Sequence, residues 1–152
     1  KYIKSEKIYH SYSEDIVFLE DYAFLINALL DLSSKTMNFK YKNYAKILCS
    51  EAINKFYLKD KNIFQKTPKT NNDVFLTPID IGDNSLPNGN AIMLINFTRL
   101  GMISEAQELS NSLNGYLNIY KSHMMTSLRA IDFFKNIRIG KNCDENGCKI
   151  QD

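Results

Sequence analysis

The sequence predicts a mainly α-helical domain and, more narrowly, part of an (α/α) toroid: about five helices in two layers, with a short β-hairpin insertion. Three observations predict this. Apolar residues recur at helical spacing in five segments. Those segments alternate between apolar nearly all round and narrowly amphipathic. One stretch, Asn62 to Pro78, breaks the helical period with short β-like runs between turn residues.

In the first helical segment, about Phe18 to Ser33, Leu19, Tyr22, Ala23, Ile26, Leu29 and Leu30 share a face, and Phe18, Leu25 and Leu32 widen it to most of the circumference. The second, about Tyr41 to Leu58, is amphipathic: Tyr41, Ala45, Leu48, Ala52 and Phe56 form one stripe against Lys42, Lys46, Ser50, Asn54 and Lys55. Ile63-Phe64-Gln65 and Val74-Phe75-Leu76 then read as short strands joined by a polar loop with Pro68, Asn71 and Asn72. The stretch from Asp80 to Asn90 is turn-rich, with Gly82, Pro87 and Gly89.

The third segment, Asn90 to Leu100, is nearly all apolar, and Gly101 stands where a left-handed C-terminal cap is expected. Ser104 and Gln107 have the spacing of a capping box for a fourth helix. There Ile103, Ala106, Leu109, Leu113 and Leu117 face one way and Glu105, Gln107, Glu108 and Asn111 the other. A fifth helix is predicted from about His123 to Phe134, with Met124, Leu128, Ile131 and Phe134 inward, and a terminal strand at Asn136 to Gly140.

Helices of an up-down four-helix bundle share one degree of amphipathicity. Alternation fits concentric layers instead, with inner helices touching the core on all sides and outer helices wrapping them. A closed ring takes more hairpins than this chain holds. The inner helices are then expected to leave apolar flanks open, as partner surfaces do. Residues 1–152 therefore read as one domain, the C-terminal segment of a larger toroid, with self-association or the remainder of the ring as partner. A first residue of Lys1 rather than Met leads to the same expectation of a processed chain or a fragment.

Composition narrows the function classes. Hydrophobic residues make up 44% and charged residues 24% of the 152, a globular balance. The net charge of +2 gives no basis for binding nucleic acid or an anionic membrane. Lys55, Lys59 and Lys61 read as a solvated helix end. The longest apolar stretch, Ala91 to Ile95, is far short of the roughly 18 residues of a membrane span. Of three cysteines, Cys49 falls in a helical pattern as a small buried hydrophobe. Cys143 and Cys148 flank a polar tail segment as free thiols; closing a small disulfide or half a zinc site are the alternatives, with no second Cys or His pair nearby. No metal or cofactor is expected. An odd cysteine count without a signal sequence points to a cytoplasmic setting.

Two stretches carry a resemblance. One is Leu19-Glu20-Asp21-Tyr22-Ala23-Phe24-Leu25-Ile26, followed by Ala28-Leu29-Leu30-Asp31-Leu32. The other is Asp83-Asn84-Ser85-Leu86-Pro87-Asn88-Gly89-Asn90, opening an apolar helix that ends Arg99-Leu100. Together they resemble the C-terminal region of thioredoxin-domain-containing proteins. That family joins a thioredoxin-like domain to a six-hairpin (α/α) toroid, similar to N-acylglucosamine 2-epimerases and six-hairpin glycosidases. The resemblance covers about Phe18 to Phe134, including Phe75-Leu76-Thr77-Pro78 between the motifs. Asn88 stands where the family usually has Ser. The Cys-x-x-Cys fingerprint of its redox domain is absent from this chain, so no redox function carries over. The resemblance implies a carbohydrate ligand, bound or processed.

The motif residues supply the candidate site. Glu20 and Asp21 open an apolar helix, where acidic side chains complement the macrodipole. Successive helical residues diverge by about 100°, so one carboxylate at most faces a cavity. Asp21 is the expected catalytic group, with Asp83 a distant second carboxylate for glycosidase chemistry. His123 is a candidate general base or, alternatively, a surface or capping residue. Asn88, Gly89 and Asn90 open the third helix either as an ordinary cap or as donors to sugar hydroxyls. Glu20, Tyr22 and Phe24 complete the expected substrate-binding set, the two rings stacking on a sugar face. His10, in an extended N-terminal segment, has no evident partner. Asn96-Phe97-Thr98 fits a glycosylation sequon inside a buried helix and is discounted. Two functions remain open: a sugar-binding or sugar-processing toroid segment, and a non-catalytic scaffold or interaction module.

Overall fold

The fold was obtained as a computed structural model, which describes residues 3–4, 7–8, 10, 17–68, 79–140, 143–144 and 147–148. Five helices dominate: α1 (Leu19–Thr36), α2 (Phe39–Phe56), α3 (Gly89–Leu100), α4 (Ile103–Tyr120) and α5 (Met125–Gly140). Three short antiparallel hairpins accompany them. β1 (Ile3–Lys4) pairs with β2 (Lys7–Ile8), and β3 (Tyr57–Leu58) with β4 (Ile63–Phe64). β5 (Cys143–Asp144) pairs with β6 (Gly147–Cys148), which places the Cys143 and Cys148 backbones opposite each other. Among the described residues, no helix is long and apolar enough to cross a membrane.

The helices run as hairpins. Met37, in the left-handed conformation at φ 53°, reverses the chain after α1, and the Asn38 side chain accepts from Lys40 N to start α2. Gly101, at φ 78°, ends α3 with its N–H turned back onto the Phe97 and Thr98 carbonyls, and α4 begins two residues later. A 3₁₀ turn, Lys121–His123, reverses the chain again into α5.

Contacts between α1 and α3 advance in step along both helices. Leu19 lies against Gly89, the Asn96 amide donates to the Ala23 carbonyl, and Arg99 reaches Asn27 and Asp31. The two helices are therefore parallel. α5 starts beside the start of α3, where Ser127 meets Asn88. So α1, α3 and α5 lie side by side with their N-termini at one end. α2 covers α1, and α4 covers α3 and α5.

Burial follows position in this layer. α3 lies between α1 and α5 and buries ten of its twelve residues, so its sequence needs no polar face. α2 and α4 bury single stripes, Ala45, Cys49, Ala52 and Phe56 in one and Ala106, Leu109, Ser110 and Leu113 in the other. Burial pushes the Cys49 thiol up to about 12, with Glu105 adding to the effect, so it stays a neutral hydrophobe.

Several expectations are corrected. Neither α1 nor α5 is buried all round. α1 buries one stripe, Leu19, Tyr22, Ala23, Ile26 and Leu30, and leaves Leu32 exposed, because only α2 and α3 pack against it closely. In α5, Ala130, Ile131, Phe134 and Ile137 face inward, whereas Met125 and Leu128 (50% exposed) point to solvent. The expected strand at Asn136 to Gly140 is the last part of α5, because Ile137 falls three residues after Phe134 on the same buried face. Ile63–Phe64 pairs back with Tyr57–Leu58, across a turn in which Asn62 takes the left-handed conformation at φ 50°. The Val74–Leu76 run lies outside the described residues. α4 starts at Ile103, one residue before Ser104, and the Gln107 amide donates to Asn111.

Candidate functional site

The two motifs meet at the end where the inner helices begin. At α1, Asp21 sits three residues past the N-cap, and its Oδ2 accepts from Phe18 N at 2.8 Å. The same carboxylate faces His10 Nδ1 at 2.9 Å, and the His10 ring meets Phe18 edge-on with centroids 4.8 Å apart. His10 thus has a partner, contrary to expectation. An approach across eleven positions in sequence left no local signal for it.

Glu20 turns elsewhere. Its Oε2 is enclosed and has no hydrogen-bond partner. Burial pushes the Glu20 carboxyl up from its ordinary value; a hydrogen bond to its own backbone N–H and the Lys66 ammonium pull less strongly the other way. Lys66 pairs with Asp80 at 3.3 Å beside it. Close by, Gly89 leaves space that a Cβ would fill: such an atom would lie 2.9 Å from Leu19 Cδ2 and 3.6 Å from Glu20 Cδ. Only glycine lets α1 and α3 approach this closely at their starts.

At α3, Asn88 is the N-cap, and its Oδ1 accepts from Ala91 N at 2.8 Å. Its Nδ2 donates to Asp83 Oδ1 and Ser127 Oγ. Asn90, fully buried, serves as the missing edge partner of β4: Oδ1 accepts from Phe64 N, and Nδ2 donates to the Phe64 and Asp80 carbonyls. Asp83 ties the loop to α5. Its Oδ1 accepts from Asn88 N, its Oδ2 accepts from Thr126 N at 2.7 Å, and its own N–H donates to the His123 carbonyl. Burial alone would raise the Asp83 carboxyl; the hydrogen bonds from Thr126 and Asn88 outweigh it and hold the group below its ordinary value.

The remaining expected site residues lie apart from this joint. Tyr22 is fully buried toward α2: its hydroxyl donates to Glu51 Oε2 at 3.0 Å and accepts from Lys55 Nζ at 2.6 Å, and its ring packs edge-on against Phe56. A ring enclosed this way has no face for a sugar, which corrects the stacking role expected of it. Phe24 is half-buried on α1 and packs against the core. His123 lies on the exposed 3₁₀ turn, its ring beside Ser122 Oγ at 3.1 Å, and only its backbone carbonyl joins the Asp83 network.

Sequence reasoning missed Glu51 and Lys55 as partners of Tyr22, and Thr126 and Ser127 as partners of Asp83 and Asn88. Thr126 and Ser127 at a helix start were the readable signal, since these residue types favour such positions. Among the described residues, no group of three or more His, Cys, Asp or Glu side chains is placed to hold a metal ion. Asn96 and Thr98 of the sequon are fully buried in α3, and the Asn96 amide donates to the Ala23 carbonyl.

No protein-family model matches the chain, and no curated protein matches it.

Proposed function

We propose that this chain is a non-catalytic scaffold segment of a layered helical-hairpin ring, in which the two motifs join successive hairpins. One observation carries the reading. Both amide donors and the oxygens of Asn88 and of Asn90 are directed to protein groups, and three protein donors converge on Asp83. Polar groups satisfied this way stabilise the joint and leave little for a ligand. The resemblance of both motifs to the toroid of thioredoxin-domain-containing proteins supports the ring, as does the parallel inner layer.

The open flanks of that layer fit a second copy of the chain or further hairpins as partner. Among the described residues, Leu32 on α1 (45% exposed) and Met125 with Leu128 on α5 are large apolar side chains exposed there. Sedimentation tests this: a monodisperse monomer that binds no apolar dye would overturn the partner surface.

A second reading is favoured by Glu20 alone. Its unpartnered oxygen and raised carboxyl make it the motif residue able to hold a proton and offer it to a ligand. On this reading the joined helix starts bind a carbohydrate. Titration with monosaccharides and N-acyl hexosamines separates the two. Shifts at residues 19–22 and 88–90 that Glu20→Gln abolishes, at unchanged melting temperature, would establish the second reading and reject the first.

A further inference from the structure

The end of the molecule opposite the joined helix starts has a different surface chemistry. α1 and α3 are parallel, so the turn from α1 into α2 lies at their far end, away from Glu20 and Asn88. Residues 32–50 run through this turn and contain Lys35, Lys40, Lys42 and Lys46 but no Asp or Glu. The net charge of +2 conceals this, because all 17 acidic residues fall elsewhere. Lys35, Lys40 and Lys46 are exposed, and Lys42 is half-buried. The bordering acids are engaged outside the segment: Asp31 pairs with Arg99 at 2.7 Å, and Glu51 accepts from Tyr22. Glu105, at the start of α4, is half-buried beside Cys49.

Large apolar side chains crowd the same segment. Residues 34–40 are all exposed, and within them Met37 is 75% exposed and Phe39 66%, on either side of the cap residue Asn38. Met37 holds the left-handed conformation at φ 53°, where Gly or Asn is favoured. Folding gives no reason for a long apolar side chain at that position. Further along α2, Tyr44 and Ile47 are exposed on the face that Lys40 shares, at spacings of four and seven.

We infer that this turn docks on an anionic lipid surface. Met37 and Phe39 enter the boundary between headgroups and acyl chains. Lys35 on α1 and Lys40 on α2 flank them at the depth of the phosphates, where anionic headgroups attract each cation. Tyr44 carries an apolar ring with a polar tip, and such side chains favour the headgroup level. An acidic protein would also attract the lysines, but two apolar side chains on a turn are few against the roughly 20–30 residues a side of a stable protein interface. Docking of this kind is peripheral and needs no membrane-spanning helix. It is independent of any ligand at Glu20.

The test is co-flotation of the intact chain with vesicles of phosphatidylcholine and phosphatidylserine, against vesicles of phosphatidylcholine alone. Binding is expected to the mixed vesicles only, and to weaken as salt screens the charges. Lys40→Gln is expected to lower the partition coefficient about fivefold, and Met37→Gly combined with Phe39→Ser at least about tenfold. Glycine suits the left-handed backbone at position 37, so that loss would not come from unfolding. The chain has no tryptophan, so Phe39→Trp places a single reporter at the turn, and its emission should shift to the blue on the mixed vesicles. Lipid docking is overturned by no binding to the mixed vesicles, by equal binding to phosphatidylcholine alone, by variants that bind as the wild type does, or by a reporter that shows no shift. Without vesicle binding, capture of poly-glutamate would assign the turn to an acidic protein instead. A dimer in sedimentation that Met37→Gly with Phe39→Ser abolishes, again without vesicle binding, would assign it to a second copy.

Discussion

The starts of α1 and α3 look alike in sequence, each an acidic or amide-rich run before an apolar helix, yet they are built to opposite ends. At α3, Asn88 caps the helix, Asn90 completes the edge of β4, and Asp83 reaches across to α5. At α1, Asp21, three residues inside the helix, reaches back to the N–H of the N-cap residue Phe18, but Glu20 keeps an enclosed oxygen without a partner. The first junction is a closed polar network, and such networks rigidify. The second retains one group under tension between burial and charge. A motif's residue types therefore say less about ligand binding than the count of valences left over.

The comparison is broken most forcefully at Asn90. Asn90→Leu removes three hydrogen bonds and strands the Phe64 backbone groups, at an expected cost of about 3 kcal/mol. At roughly 2–4 °C per kcal/mol for a chain of this size, calorimetry should show a fall of about 6–12 °C. A drop under about 2 °C would mean that water replaces the amide without loss. Gly89→Ala comes next, because its Cβ must push Leu19 away from a close approach. Overpacking of this kind costs about 1–3 kcal/mol, read from denaturant midpoints.

Asp83→Asn is expected to cost about 1–2 kcal/mol at neutral pH, and its pH profile sharpens the contrast with Glu20. The Asp83 carboxyl is held below its ordinary value, so its contribution is present above the unfolded-state pKa and is lost as pH falls through the folded one. The Glu20 carboxyl is raised, so the folded state favours its proton, and stability is lost as pH rises through its folded value. Melting curves from acid to neutral pH should therefore show Asp83→Asn removing a rise with pH and Glu20→Gln removing a decline. Glu20→Gln is expected to leave the neutral-pH protein slightly more stable; a destabilised Glu20→Gln would show that the carboxylate has a partner after all. The smallest effect belongs to the open flank. Leu128→Ser should change stability by less than about 0.5 kcal/mol, while reducing any self-association seen by sedimentation.

Much of the architecture was legible. The mainly helical class, the small β-hairpin, the Gly101 cap and the burial of α3 all follow from spacing and residue type, which act over a few residues. The exceptions have one cause. Leu128 and Ile137 have the same kind of side chain, and only the position of α3 and α4 decides that one is exposed and the other buried. Likewise, Tyr22 reads as a site residue until α2 brings Glu51 and Lys55 onto its hydroxyl.

The sequence by itself determined that the chain is mainly helical, where α3 stops at Gly101 and that α2 and α4 bury one stripe each, because hydrophobic periodicity, caps and glycine conformations are local properties. Only the tertiary structure decided which polar groups are spent. Hydrogen-bond partners such as His10 and Asp21, Asp83 and Thr126, or Asn90 and Phe64 are separated by 11 to 43 positions. Whether a carboxylate is a joint, an open acid or a solvated charge is settled by which elements packing brings against it.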